Sequence, residues 1–364
     1  MVRRSGIFDC KPVVNVALVR NSIALIACPN GLGHVHRVCV LGEQFAKIGW
    51  QATIFAPQAN FARVFEALGI EPKVFLVDFD AKFDLSSISQ GCPEAICWEK
   101  RLPCLNDYDV VLSDNLPEIL RIRKDAILSG NFFWHEALPD ISIVYRDNVA
   151  RLIRESNPLL LTYGGFSVID DLGPVQVHDC AIPTVETSRK LTSTRRKCVL
   201  VTTGTTDAGL VSGRAILETL ARTGIEPFEK VFVEPSLIGD FDNPEFFGAD
   251  FSRDMFTNVV ATIGRPGFGA ISDCFHYASK FFPVVSENNH EMMWNAEKLK
   301  EKGLGEGCLQ ACEAVQAAKI YAEDKTQQHI FQSNLSRFER ENNSLPTAVD
   351  MVRKWRSHDN VLGR

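Results

Sequence analysis

Two glycines and a histidine share seven residues, Gly31-Leu32-Gly33-His34-Val35-His36-Arg37, directly after the apolar run 23–28. Glycines at a turn from strand to helix let the backbone pass close to a ligand, and the helix N-terminus beyond offers unpaired N–H groups to an anion. A dinucleotide-binding turn would place a third glycine where this chain has Arg37. The ionisable His34 at the mouth points to proton transfer, because imidazole is well tuned to take a proton near neutral pH. The bland alternative is a histidine that caps its own helix, and His36 reads as a plain helix residue.

Four further polar loops follow apolar runs. Asp114 and Asn115 come after the run 110–113. A carboxylate at a strand end points into the cleft, and one that reaches His34 fixes its tautomer and stabilises the imidazolium. Otherwise Asp114 caps the next segment, whose Pro117 suits a first turn. The stretch Thr202-Thr203-Gly204-Thr205-Thr206-Asp207-Ala208-Gly209 suits a phosphate, though no Gly-Lys-Ser/Thr ends it as in a P-loop. Gly264-Arg265-Pro266-Gly267-Phe268-Gly269 opens another helix; Arg265 can pair with phosphate, and Asp273 can face the cleft and accept two hydroxyls. The cluster 286–291, followed by Trp294-Asn295-Ala296, suits sugar hydroxyls or is a surface loop with Asn295 inside a helix. Asp78-Phe79-Asp80 has a metal-binding spacing but no arguable partners, so no metal is expected.

These loops need a frame to hold them. The chain has 364 residues, 45% apolar and 23% charged, with net charge −6. That length suits two soluble domains, and the charge excludes a general nucleic-acid footprint. No apolar run approaches a bilayer span. The segment 13–28 is interrupted by Asn15, Arg20 and Asn21 and lacks a small-residue cleavage site, so no signal peptide is expected. Eleven cysteines, with no C-x-x-C pair, fit reduced thiols in a cytoplasm. Cys92, Cys97 and Cys104 cluster too loosely to argue zinc.

Strand-like and helical runs alternate. Strands are expected at 23–28, 52–55, 73–77, 110–112, 126–128 and 159–161, and again at 198–202, 231–233, 259–263 and 281–285. Helices are expected at 35–48, 61–68, 210–221, 268–279, 291–302 and 348–355. The polar stretch 188–197 reads as a linker, and 78–107 has no clear period. The expectation is an α/β chain with two doubly wound parallel sheets whose strand C-termini face one cleft.

With these motifs the chain resembles glycosyltransferases of the GT-B fold over residues 22–303. The nearest pattern is the bacterial N-acetylglucosaminyltransferase that makes lipid II, with its relatives. That family has a G-x-G-H-type loop, matched by Gly31, Gly33 and His34. It also has an R-S-G-x-x-T-x-S-E segment, matched by Arg265 to Asp273, and a D-M pair matched by Asp254-Met255 after Phe251. Its N-A pair is matched by Asn295-Ala296. The resemblance implies two Rossmann-like domains, 1–187 with acceptor side and base, and 198–345 with the donor site. Residues 346–364 then form a helix crossing back. It implies His34 as base, with Asp114 as in the His–Asp dyad of small-molecule UDP-glycosyltransferases. Gly204, Thr205 and Gly267 would lie around the diphosphate, and Thr206 and Arg265 would take its growing charge. Asp273 would hold the ribose, and the loop 251–256, with Met255, would read the base largely through backbone groups. Gly31, Gly33, Gly269, Glu291 and Asn295 complete the donor side.

Three departures leave sugar and nucleotide open: Asp273 stands for a glutamate, Ala270 for a threonine, and Glu291-Met292-Met293 for the glutamine segment. The implied substrate is a nucleoside-diphosphate sugar, UDP-linked by first expectation, with no further cofactor. The acceptor hydroxyl belongs to a small molecule, glycan or lipid-linked molecule, with peripheral membrane contact through a surface patch in the last case. The loop from Gly31 to Arg37 also resembles the nucleotide-sugar hydrolase of the pseudaminic acid pathway, whose acceptor is water. Phe132-Phe133-Trp134 resembles a segment of the transferase-like domain of L-arabinokinases and would line the acceptor side. A sugar-nucleotide 2-epimerase using His290 and Glu291, and a non-catalytic nucleotide-binding module, are the other readings.

Overall fold

The computed structural model describes residues 21–81, 97–138, 140–169, 175–184, 197–204, 206–239, 241, 243–285 and 288–362. Thr205, Cys92 and nearly all of the polar stretch 188–197 lie outside these residues.

The first sheet contains β1 (Ser22–Ile26), β2 (Gln51–Ala56), β3 (Phe75–Asp78), β4 (Val110–Asp114), β5 (Ile127–Ser129), β6 (Leu160–Tyr163) and β7 (Val177–Cys180). The strands are parallel, in the order β3-β2-β1-β4-β5-β6-β7. Helices α1 (Leu32–Lys47), α2 (Gln58–Leu68), α3 (Trp134–Ala137) and α4 (Ile143–Ser156) belong to this half. Ile23 to Ile26 are all fully buried, as a strand covered on both faces demands. The strand order reverses between β1 and β4, where Ile26 stands beside Ser113. The residues after β1 therefore leave the sheet beside Asp114, at a topological switch point.

The second sheet repeats this plan with β8 (Cys198–Thr202), β9 (Lys230–Val233), β10 (Phe246–Gly248), β11 (Val259–Gly264) and β12 (Lys280–Pro283), in the order β10-β9-β8-β11-β12. Its helices are α5 (Asp207–Thr223), α6 (Pro235–Ile238), α7 (Arg253–Asn258), α8 (Phe268–Tyr277), α9 (His290–Glu301), α10 (Ala311–Glu323) and α11 (Lys325–Ser344). The switch lies between β8 and β11, where Gly264 stands beside Thr202. This brings the loops after both strands together.

The final helix α12 (Ala348–Leu362) lies against α1. Arg356 pairs with Asp109 at 2.7 Å, bonds Asn21 and lies 5.5 Å from the Trp50 ring centroid. Between the domains, Phe166 of the first packs on Phe268 and Phe275 of the second at 5.8 Å each, and on Phe338 of α11 at 6.4 Å. Among the described residues, no helix is long and apolar enough to cross a membrane.

Several boundaries differ from the periodicity. α1 starts at Leu32 rather than residue 35, because Gly31 at φ 97° is its N-cap and Gly33 and His34 enter the first turn. α8 ends at Tyr277 because Ala278 turns left-handed at φ 52°. Strands β7 and β10 and helices α4, α10 and α11 carry no expectation from the sequence. The first aspartate of the D-x-D, Asp78, accepts the Gln58 N–H at 2.9 Å at the start of α2.

A Cβ added to Gly264 would overlap the Thr202 backbone carbonyl, which cannot move without breaking the β8–β11 pairing. Gly264→Ala is expected to lower unfolding free energy by about 2–3 kcal/mol in a urea titration.

Candidate active site

His34 sits on the first turn of α1 with its side chain 12% exposed. Its Nδ1 lies 2.8 Å from Oδ1 of Asp114, a residue with no exposed surface. Arg37, one turn further along α1, donates from Nε to Oδ2 at 2.6 Å and from Nη2 to Oδ1 at 2.8 Å. Burial opposes ionisation of Asp114, but the Arg37 charge and the His34 hydrogen bond outweigh it, so the carboxyl sits below its ordinary range. An ionised carboxylate only accepts, so Nδ1 of His34 carries the hydrogen, and the neutral tautomer of this ring has its lone pair on Nε2. The 3.2 Å approach of Arg37 Nη2 to Nδ1 is then two donors converging on one oxygen. Phe132 meets the imidazole edge-on at 6.0 Å, and Trp134 lies at 6.3 Å.

The second domain faces this group through α8. Gly267 is the N-cap of α8 and Gly31 that of α1, and neither helix has a side-chain cap. The two N-terminal turns meet where a Cβ on Gly269 would lie only 3.0 Å from Gly33 Cα. Side chains at these positions would push the helices apart. Beside α8, Arg265 donates to Thr206 Oγ1 at 2.9 Å and to the Thr203 carbonyl at 3.3 Å, joining the two switch-point loops. Thr206 also caps α5 by accepting the Gly209 N–H.

No family model matches the chain, and no curated protein matches it in sequence. Solved structures match it along nearly its whole length. CalG4, the calicheamicin glycosyltransferase, is 15% identical, with 95% of this chain and 100% of that one covered at a TM-score of 0.58. LpCGTa in complex with UDP is 12% identical, with 93% and 99% covered at 0.61. The spinosyn rhamnosyltransferase SpnG with thymidine diphosphate is 13% identical, with 92% and 100% covered at 0.60.

The chain has the GT-B fold. The likeness reaches that architecture and not the lipid II or hydrolase branch.

The GT-B arrangement brings His34, Asp114, Gly31 and Gly33 into one group, and Arg265, Thr206, Gly267 and Gly269 into a second group against it. Other expected residues stand differently. Asp114 does not point into the cleft: it lies beneath His34 and Arg37, because a strand-end carboxylate with two cationic or polar partners is drawn into the core. The Gly204 N–H is taken by Glu234, whose Oε2 accepts it at 2.7 Å and the Thr203 N–H at 2.9 Å. Met255 is packed among Leu200, Ala249, Phe256 and Val259, so its side chain is core. Asn295 is buried and donates to the Pro266 carbonyl at 2.9 Å, bracing the loop before α8 from below. Glu291 is buried one turn before it. His36 faces the α8 side, and burial, with His276 and Arg37, pushes it down to about 4. Among the described residues, no three His, Cys, Asp or Glu side chains gather as metal ligands would.

Sequence reasoning gives Arg37 no role at the site and passes over Glu234. Arg37 does carry a signal, an arginine three residues after the histidine on a helix face otherwise apolar. Glu234 has only its place at the end of β9.

Asp273, half-buried on α8, is pushed up to about 7 by burial. The folded protein thus holds this proton more tightly than the unfolded chain, whose ordinary value is 3.8. Stability from this group is full below that value and falls as pH rises toward about 7. Asp273→Asn is therefore expected to gain stability over the parent, the gap opening between about pH 4 and pH 7 and level above, in urea midpoints taken across pH.

Proposed function

We propose that this protein transfers a sugar, hexosyl or N-acetylhexosaminyl, from a nucleoside-diphosphate donor to an acceptor hydroxyl, with His34 as general base. The observation that carries the reading is the 2.8 Å His34–Asp114 contact, set against the uncapped start of α8. In the step, Nε2 of His34 takes the hydroxyl proton as the acceptor oxygen bonds to C1. The C1–O bond to the diphosphate breaks, and its electron pair leaves with the phosphate. The N–H groups at the starts of α8 and α1, with Arg265 and Thr206, stabilise that charge. These groups supply the positive potential the leaving group needs, so the scheme invokes no metal.

Neighbours supply the donor class. One such structure carries UDP and another thymidine diphosphate, while a further SpnG structure carries the spinosyn aglycone. We take UDP as the first donor to test, with Asp273 as the ribose contact. In this division of labour residues 1–187 hold the acceptor, 198–345 hold the donor, and 346–364 return to the first domain. Phe132 and Trp134 beside His34 form the acceptor wall. A small molecule, a glycan or a lipid-linked acceptor fits this scheme, the last through peripheral contact with a membrane surface.

The experiment is a binding screen over nucleoside diphosphates, followed by mass spectrometry of products from candidate sugar nucleotides with and without acceptors. His34→Ala is expected to lower turnover by roughly 10²–10⁴-fold with the fold intact. Unchanged turnover would remove the base from the scheme, and free sugar released at full rate without acceptor would make water the acceptor.

A further inference from the structure

We propose that Arg37 is a positioning residue for the His34 base, and that the donor-side domain supplies part of its seat. The proposal rests on the sugar-transfer reading above.

Asp114 can serve His34 only if its carboxylate plane is held still. Arg37 does this side-on, with Nε on one oxygen at 2.6 Å and Nη2 on the other at 2.8 Å. Two parallel bonds fix the plane, which a single point charge cannot do. Oδ1 then aims at Nδ1 of His34, and the Ser129 hydroxyl completes Oδ2 at 3.4 Å. His34 and Arg37 are three apart on α1 and so share one face. Arg37 also balances the charge of a carboxylate that has no water. Without it, His34 alone would meet that charge, favouring an imidazolium that cannot accept the acceptor's proton.

The guanidinium lies between two rings from different domains. Tyr163 of β6 is 5.5 Å from it, and Phe268, the first residue of α8, is 5.8 Å away. Tyr163 is itself held by a 2.7 Å hydrogen bond with Ser129. The charge of Glu291, on α9, also favours the Arg37 guanidinium from the donor side. The helix start that would hold diphosphate thus also closes one side of the arginine's seat. Domain closure seats Arg37, Arg37 sets Asp114, and Asp114 sets His34.

The groups around this seat are Asp114 from β4, Tyr163 from β6, Cys28 after β1, His36 and His34 from α1, and Glu291 from α9. Burial raises Cys28 and Tyr163 and holds His36 down at about 4, so none of these three changes charge near neutrality.

The test compares the full chain with Arg37→Met, Arg37→Lys and Phe268→Leu. A histidine Nδ1–H bonded to a carboxylate gives a far-downfield proton resonance that needs no substrate. We expect it in the parent and not in either Arg37 variant. We expect kcat to fall roughly 10²-fold while the donor KM moves less than about threefold. The acid limb of the kcat–pH profile should shift to higher pH in Arg37→Met. Lysine keeps the charge but cannot grip both oxygens, so it should hold the pH profile near the parent's yet restore neither the resonance nor kcat. Phe268→Leu should weaken the same resonance with Arg37 intact. Retention of the resonance and of the parental pH profile in Arg37→Met overturns the proposal, as does rescue of the resonance by lysine. If the methionine variant fails to fold, the lysine variant decides on the resonance and kcat. The resonance is read without turnover, so its outcome is separable from any failure of the sugar-transfer reading.

Discussion

A carboxylate with no access to water governs the first domain. Burying Asp114 unpaired would cost several kcal/mol, far more than one surface ion pair returns. The chain meets that cost with Arg37 and His34 from one turn of one helix. This sets the rotation of α1 about its axis and its distance from β4. The adjacency of β1 and β4 follows the same logic, because only neighbouring strands deliver the loop after β1 onto the end of β4. Fold and chemistry therefore share one requirement here.

The second domain is organised by close backbone approach. Gly264 lets β11 pass Thr202, and Gly269 lets α8 touch α1 at Gly33. The loops between are tied by Arg265, by Asn295 under the Pro266 carbonyl, and by Glu234 on the Thr203 and Gly204 amides. Glu234 fills a pair of N–H groups that would otherwise attract any passing anion. The diphosphate work in our scheme then falls to the α8 start, with Arg265 and Thr206.

Much of this is legible in the sequence because strand-to-helix loops carry their chemistry in short local patterns. The runs around Gly31–Arg37 and Gly264–Asp273 announce both the switch points and the residues standing there. Partners far apart in sequence are harder. That His34 reaches Asp114 is one of two readings on sequence, since an aspartate before Pro117 also suits a cap. Asn295 looks like a ligand contact by type, yet tertiary packing turns its amide inward to a carbonyl; Met255, which the resemblance places in a loop acting largely through its backbone, buries its thioether in the core. Helices α10 and α11 escape periodicity because their apolar faces are covered by neighbours that it alone cannot name. Phe331, for example, packs on Tyr321, and Phe338 packs on Phe275.

The polypeptide passes between the domains twice, once between Cys180 and Cys198 and once between Ser344 and Ala348. The start of the first is stitched to the second, for the Ala181 N–H bonds the Pro346 carbonyl at 3.0 Å and the Ile182 N–H bonds the Asn342 side-chain oxygen at 2.9 Å. Two tethers joined at this point hold the domains in one mutual orientation more firmly than one would. Twist and sideways slip between the domains are resisted more than a single tether would resist them. The imidazole and the start of α8 are thereby kept on one line of approach.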